Sequence, residues 1–340
     1  MAKLSDKIMA NTIQDKLAYL EETKGLIKEA IIAKGGTVSD EDTFRSYADK
    51  IEAIQSGGSI AGAPSGMKFV NSTFTTVPTE IIPYLEQQTD LSGIFENCEN
   101  LTTVPSIDAS KATSMEKMFY NCQKLQTVSQ IKTLNVTTTN NMFYYCKALK
   151  SVPIFDTRRC TDLSSMFISC TSLTSVPIFN TSKATSMEKM FNNCTSLQTV
   201  PLLNTSSVVN MSGSFYGCSS LKSVPIFDTS RCTNMYMMFG DCQNLQMIPL
   251  LNVSNVTKME YVLYNCSSLT NIGGFTGLKQ SLELAYSPLL TVESVMNVIS
   301  NAEDMTSSPK TLTLHQSVFN KLSEEQITTA TAKGWNIAHW

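Results

Sequence analysis

Histidine is nearly absent from this chain, with only His315 and His339 near its C-terminal end, and no two cysteines stand in a Cys-x-x-Cys pair. A zinc site needs clustered ligands, so no metal is expected. Neither charge dominates: 26 basic residues face 29 acidic ones, which leaves no basic field to attract nucleic acid. No apolar run reaches the roughly 18 residues that would mark a membrane span. Met1 to Lys7 has neither an apolar core nor a cleavage site, so no Sec route and no membrane insertion are expected. Also missing are a grouped nucleophile, histidine and carboxylate, a phosphate-cradling glycine loop and distinct paired carboxylates. No catalytic residue, no cofactor and no enzymatic activity are therefore expected.

What the chain does have is a period. Cys98, Cys122, Cys146, Cys170, Cys194, Cys218, Cys242 and Cys266 are 24 residues apart without insertion or deletion. Self-similarity of that length means stacked units that bury a shared core. Phe stands three residues before most of these cysteines and Leu three residues after all of them, followed by Val or Ile and, in six of eight coils, Pro (Pro105, Pro153, Pro177, Pro201, Pro225 and Pro249). The resulting Leu-x-x-apolar-x-apolar is a leucine-rich-repeat strand segment, expected to turn its apolar positions inward. Proline cannot donate to a ladder, so one strand of about three to five residues per coil is expected. Met187, Met190, Phe191 and Cys194 fall at i, i+3, i+4 and i+7, the face of a short helix or irregular helical turn. The thiol row reads as packing, because free cysteine behaves as a small buried hydrophobe.

The fold class is thus an α/β solenoid, a leucine-rich-repeat-like array of 24-residue coils with short parallel strands, preceded by a helical N-terminal segment. The solenoid is assigned to residues 67–280. Residues 281–340 form an α/β cap, with helices over Thr291 to Ala302 and Ser317 to Lys333 around a strand from Lys310 to Leu314. Residues 57–66, rich in Gly, Ala and Ser, read as a linker. In residues 1–56, Ile13, Leu17, Leu20, Lys24, Ile27 and Ile31 are spaced as in a coiled coil. That stretch is read as a homo-oligomerising or docking segment, the alternative being a helical hairpin folded onto the first coil.

Three surface rows are candidate binding features. Tyr120, Tyr144, Tyr216 and Tyr264 share one repeat position, and a tyrosine column offers rigid contact area at low entropic cost. Thr103, Thr127 and Thr199, with Ser151, Ser175 and Ser223, form a small polar stripe along the strands. Phe155, Phe179 and Phe227 would stack on sugar rings if exposed and fill the turn if not. Asp108, Asp156 and Asp228, aligned with Asn180, Asn204 and Asn252, read as Asx turns.

The repeat Met-Phe-x-x-Cys-x-Ser-Leu-x-x-Val-Pro-x-Phe-Asp-Thr-Ser, varied at Met142 to Thr157 and Met166 to Ser182, resembles the BspA-like leucine-rich repeats of bacterial surface and phage structural proteins. Ser287 to Thr291 and Ala330 to Trp335 resemble the cap that closes such arrays in phage tail-associated proteins. Ile27 to Gly36, with Phe44, Tyr47 and Ile51, is similar to a module of phage tail and fibre proteins. The resemblance implies a virion protein assembled in the host cytosol, where thiols stay reduced. Its N-terminal helices would meet other virion proteins, and its solenoid a host surface protein or glycan. A bacterial cell-surface adhesin is the alternative, and a glycan-active enzyme comes third.

Overall fold

The computed structural model describes residues 23–29, 31 and 67–340. Successive coils stack in parallel. Residues 24 apart pair across every interface, along a row of bridges from Asp90 through Ser114, Thr138, Asp162, Ser186, Asn210 and Asn234 to Lys258. The array is a leucine-rich-repeat-like solenoid with few helices.

The expected strand is corrected in two respects. Only four coils of the array form strands; each strand there is two residues long, and there are two in such a coil, one on either side of the proline position. β1 (Thr103–Val104) and β2 (Ile107–Asp108) pair with β3 (Thr127–Val128) and β4 (Ile131–Lys132). At the far end β5 (Met247–Ile248) and β6 (Leu251–Asn252) pair with β7 (Asn271–Ile272) and β8 (Phe275–Thr276). Both ladders form where the later coil lacks its proline. Ser129 N–H donates to the Val104 carbonyl at 2.8 Å, and Gly273 N–H to the Ile248 carbonyl at 3.0 Å. The coils carrying Pro153, Pro177, Pro201 and Pro225 have no N–H to offer there, and none of them forms a strand.

The second correction concerns the residue after the proline. Val152 and Phe155 are buried, whereas Ile154 between them is 63 % exposed. Two inward side chains three residues apart cannot belong to one flat strand of period two. The chain therefore turns a corner at the proline and throws the next residue outward.

The Met-x-x-Phe segment is not a helix, although it buries the face expected of one. Ahead of Cys194, the N–H groups of Met187, Lys189, Phe191 and Asn193 leave the coil and donate to the carbonyls of Asn210, Ser212, Ser214 and Tyr216. Those of Met190, Asn192 and Cys194 close tight turns onto Met187, Lys189 and Phe191. One N–H in two thus bonds within the coil and the other bonds to the next coil. The alternation needs left-handed backbone five residues and one residue before each of the eight cysteines of the 24-residue row, as at Lys189 (φ 53°) and Asn193 (φ 57°). Asn, Asp or Gly fills the latter position at Asn97, Asn121, Asn193, Gly217, Asp241 and Asn265, the residue types that tolerate that region best.

Side chains continue the stapling. Phe69, Phe95, Phe119, Phe143, Phe167, Phe191, Phe215 and Phe239 form one column of stacked rings, with centroids 5.5 to 5.8 Å apart. Each thiol of the cysteine row donates to the carbonyl of the phenylalanine in the preceding coil, Cys146 to Phe119 at 3.0 Å and Cys170 to Phe143 at 3.1 Å. On the opposite corner buried threonines donate onward, Thr181 to the Asn204 carbonyl at 2.7 Å and Thr205 to that of Asp228 at 2.8 Å. Cys160 and Cys232 occupy the buried position filled elsewhere by Ala112, Val136 and Ala184.

The flanks close the array. Before the first cysteine, a 3-10 turn (Thr79–Ile81) and helix α1 (Ile82–Leu85) join the Phe74 and Val77 segment to Leu91. After Cys266, β9 (Leu282–Leu284), β10 (Lys310–Leu314) and β11 (Trp335–His339) form a parallel sheet with β10 central. Helix α2 (Val292–Asn301) precedes β10 and is capped by Thr291. The single helix expected over Ser317 to Lys333 is instead two, α3 (Gln316–Phe319) and α4 (Glu324–Ala332). Ser323 and Gln326 form a capping box that starts α4 anew. Residues 23–29 are helical, Ile31 is buried within the same apolar cluster as the solenoid core, and Ile27 packs against that cluster. Ile13, Leu17 and Leu20, Phe44, Tyr47 and Ile51, and the 57–66 linker lie outside the described residues.

Thr205→Val removes the donor to the part-buried Asp228 carbonyl. It is expected to cost about 0.5–1.5 kcal/mol in urea unfolding, with Thr205→Ser close to wild type. All ten thiols are buried and free. Burial lifts Cys160 and Cys266 to about 12 and Cys232 to about 11, and holds Cys146, Cys170, Cys194, Cys218 and Cys242 further above their ordinary range. A thiol titrant at neutral pH is therefore expected to find none until denaturant is added, and then ten. The unfolded chain loses these protons from about pH 8.5. The contribution is whole below that pH and falls as the pH rises towards the folded values, by up to about 1.4 kcal/mol per pH unit per thiol. Thermal melts should show Tm dropping steeply above pH 9.

Candidate binding surface

The tyrosine column lies two residues before the cysteines, inside the turn segment, where the backbone ladder keeps its rings over neighbouring coils. Tyr120, Tyr144, Tyr216 and Tyr264 are all half-buried. Tyr120 stacks on Tyr144 at 4.7 Å, and Tyr144 on Tyr145 at 4.9 Å, with Lys147 Nζ 5.3 Å from the Tyr145 ring centre. Tyr216 lies against bare backbone at Gly240, where a Cβ would meet its Cδ2 at 3.0 Å. The Asp241 carboxylate accepting from the Tyr216 hydroxyl, together with burial, pushes that phenol up to about 12.

The column widens at the C-terminal end. Tyr236, Tyr261, Tyr264, Tyr286 and Trp340 form a chain of edge-to-face rings at 6.1, 5.9, 4.6 and 5.3 Å. Tyr261 is 46 % exposed and Trp340 71 %. This cluster combines rings from the repeat with rings from the cap. Tyr236, Tyr261 and Tyr286 do not share the aligned repeat position, so no single row of the alignment marks them.

The polar stripe faces outward. Thr103, Thr127 and Thr199 are exposed. Thr103 sits opposite Thr127 in the β1–β3 ladder and donates to the Thr76 hydroxyl at 3.0 Å. The stripe belongs to the strand segment of each coil and the tyrosines to the turn segment, so the two do not combine into one site. Phe155, Phe179 and Phe227 are 2 % exposed and fill the corner, which withdraws them as stacking residues.

The aspartate and asparagine row consists of Asx turns. Asp108, Asp156, Asn180, Asn204, Asp228 and Asn252 each accept from the backbone N–H two residues on, at 3.0 to 3.2 Å. Lys132 bonds to Asp108 at 2.7 Å and brings that carboxyl down to about 2. Arg158 does the same to Asp156 in the same direction. Among the described residues no three His, Cys, Asp or Glu side chains gather as a metal-holding set, and no helix is long and apolar enough to cross a membrane.

One surface escaped the sequence reading. Ile154, Ile178, Leu202 and Ile226 are 63 to 70 % exposed and Leu250 45 %, and they follow one another on five consecutive coils, each beside a half-buried proline. Single exposed apolar residues are ordinary, but a contiguous row of them on a folded surface marks a contact site. Its first member borders an open groove of about 620 Å³, whose lining includes Gln130, Leu134, Ile154, Ile178 and Arg158. The signal was the residue after each proline, which a period-two strand assigned to the core.

A protein-family model described as "Mycoplasma protein of unknown function, DUF285" matches residues 89–202 and 198–280, more than half of the chain. Among solved structures, a leucine-rich repeat protein of T. pallidum is similar at 19 % identity, over 62 % of this chain and 77 % of that one, with a TM-score of 0.29. No curated protein matches.

Proposed function

Because this chain belongs to the DUF285 family and its repeat is a BspA-like leucine-rich repeat, we propose that it is a non-enzymatic binding solenoid. We place it as a phage virion appendage that presents its aromatic face to a host surface protein or glycan. The observation that carries the reading is the exposed ring cluster around Tyr261 and Trp340, held on a rigid array and set against the apolar ring of Tyr286. Aromatic faces stack on sugars and fill protein hot spots without much ordering cost. In this reading residues 1–56 attach the protein to other virion proteins, with Ile27 and Ile31 packed on the solenoid's apolar cluster and so taken up within the chain, residues 57–66 link that segment to the array, and residues 281–340 cap it. Ten buried free thiols support assembly in a reducing host cytoplasm.

A bacterial cell-surface adhesin is the second reading, favoured by the BspA-like repeat. Immunogold labelling of purified particles and of cells separates the two, since label on cells alone would overturn the virion assignment. For the binding face, purified protein should adhere to host cells in a pull-down. Tyr261→Ala combined with Trp340→Ala should lower that binding at least about tenfold with Tm unchanged. Equal binding by the variant would remove the aromatic face from the proposal. Release of soluble sugar from host polysaccharide during the assay would instead point to a glycan-active enzyme.

A further inference from the structure

The aliphatic row at the proline corner is not accounted for by that reading. Branched aliphatic side chains offer a sugar neither a ring face nor a hydrogen bond, so this surface calls for an apolar protein partner. We propose that the partner is a second copy of this chain, lying parallel and side by side, with a twofold axis running along the proline row.

The flanking charges carry the argument. Within the five coils of the ridge, lysine occurs four residues after the cysteine at Lys150 and Lys222 only, and aspartate ten residues after it at Asp156 and Asp228 only. The lysine coils are the aspartate coils. The other three coils are neutral on both sides, with Thr174, Gln198 and Gln246 facing Asn180, Asn204 and Asn252 across the ridge. Lys150 and Lys222 form no ion pair among the described residues. The proline, seven residues after the cysteine, lies midway between the two flanks. A twofold axis along it brings each coil onto the same coil of the partner and exchanges the flanks. Lys222 then meets the partner copy's Asp228, which bonds only its own turn, and Lys150 its Asp156, which already holds Arg158, while neutral positions meet neutral ones. The two aliphatic rows come to lie alongside each other instead of colliding, each nested on the other copy's prolines.

An isologous contact of this kind is self-complementary by symmetry. It also matches coil to coil, since both copies share the same spacing and the same order of charged and neutral coils. With coils about 4.8 Å apart and about 3.3 Å per residue across them, the strip measures roughly 24 by 20 Å. Its accessible area, larger than that outline, falls near or below the ~800 Å² per partner of a standard interface. A reversible dimer that depends on concentration follows, with both N-terminal segments at the same end.

Sedimentation of the full chain over a concentration series should show it. Ile178→Asp with Ile226→Asp, both at exposed sites, should weaken association at least about tenfold with Tm unchanged. Unchanged association would overturn the proposal, as would a monomer at every concentration. Lys222→Glu should weaken the dimer, and adding Asp228→Asn, which keeps the Asx turn as Asn204 does, should recover part of the loss. No recovery would refute the charge pairing. Because the native thiols are buried, Pro153→Cys supplies a single accessible one. Oxidation should join it to itself in the parallel pair. If Pro153→Cys cross-links only with a Pro249→Cys chain, the copies are antiparallel and the proposed axis is wrong.

Discussion

The constraint from which the rest follows is that every second N–H of the turn segment must find its carbonyl in the next coil. Phe143 N–H donates to the Met166 carbonyl and Tyr145 N–H to that of Ile168, each 23 residues on. A buried N–H without a partner costs about 1–3 kcal/mol, and one inserted residue would orphan the whole rung. Coil length is therefore held at 24 residues from Cys98 to Cys266. Constant length in turn aligns each repeat position into a straight row, so that rings stack, thiols reach phenylalanine carbonyls and threonines reach the next Asx corner.

That stapling explains residue choices that hydrophobicity alone does not. A valine in the cysteine row would fill the same space, but it would not donate to the phenylalanine carbonyl as Cys194 does to Phe167 at 3.0 Å. The buried Thr157, Thr181, Thr205 and Thr229 are on the opposite corner for the same reason. The core carries polar donors at fixed intervals and each of these is satisfied by a carbonyl of an adjacent coil. Some inward rows vary among small or apolar residues, as at Ala112, Val136 and Cys160, whereas Tyr, Glu, Asn, Ile and Gly replace one another at the position two before the cysteine.

Much of this was legible in the residues. The period, the parallel stack, the inward Met, Phe, Cys and Leu, and the Asx turns all follow from spacing, because each depends on neighbours a fixed distance along the chain. The turn conformation was not, since i, i+3, i+4, i+7 is met equally by a helix and by successive tight turns. The asparagines and glycines preceding Cys122, Cys194 and Cys218 were the available hint. The direction of Ile154 was also misread, because Val-Pro-Ile-Phe is compatible with a straight strand until the proline is seen to turn a corner. Likewise, Asn320 to Ser323 restarts a helix that amphipathic spacing alone would run through.

The sequence by itself determined the repeat, its length and its inward rows, since periodicity is a property of the chain alone. Only the tertiary structure decided which surfaces exist. The joining of Tyr261 and Tyr264 from the repeat to Tyr286 and Trp340 from the cap depends on how the cap docks on the last coils. The outward turn of Ile154, Ile178, Leu202 and Ile226 depends on Val and Phe both claiming the core, three residues apart, across a proline that cannot join the ladder.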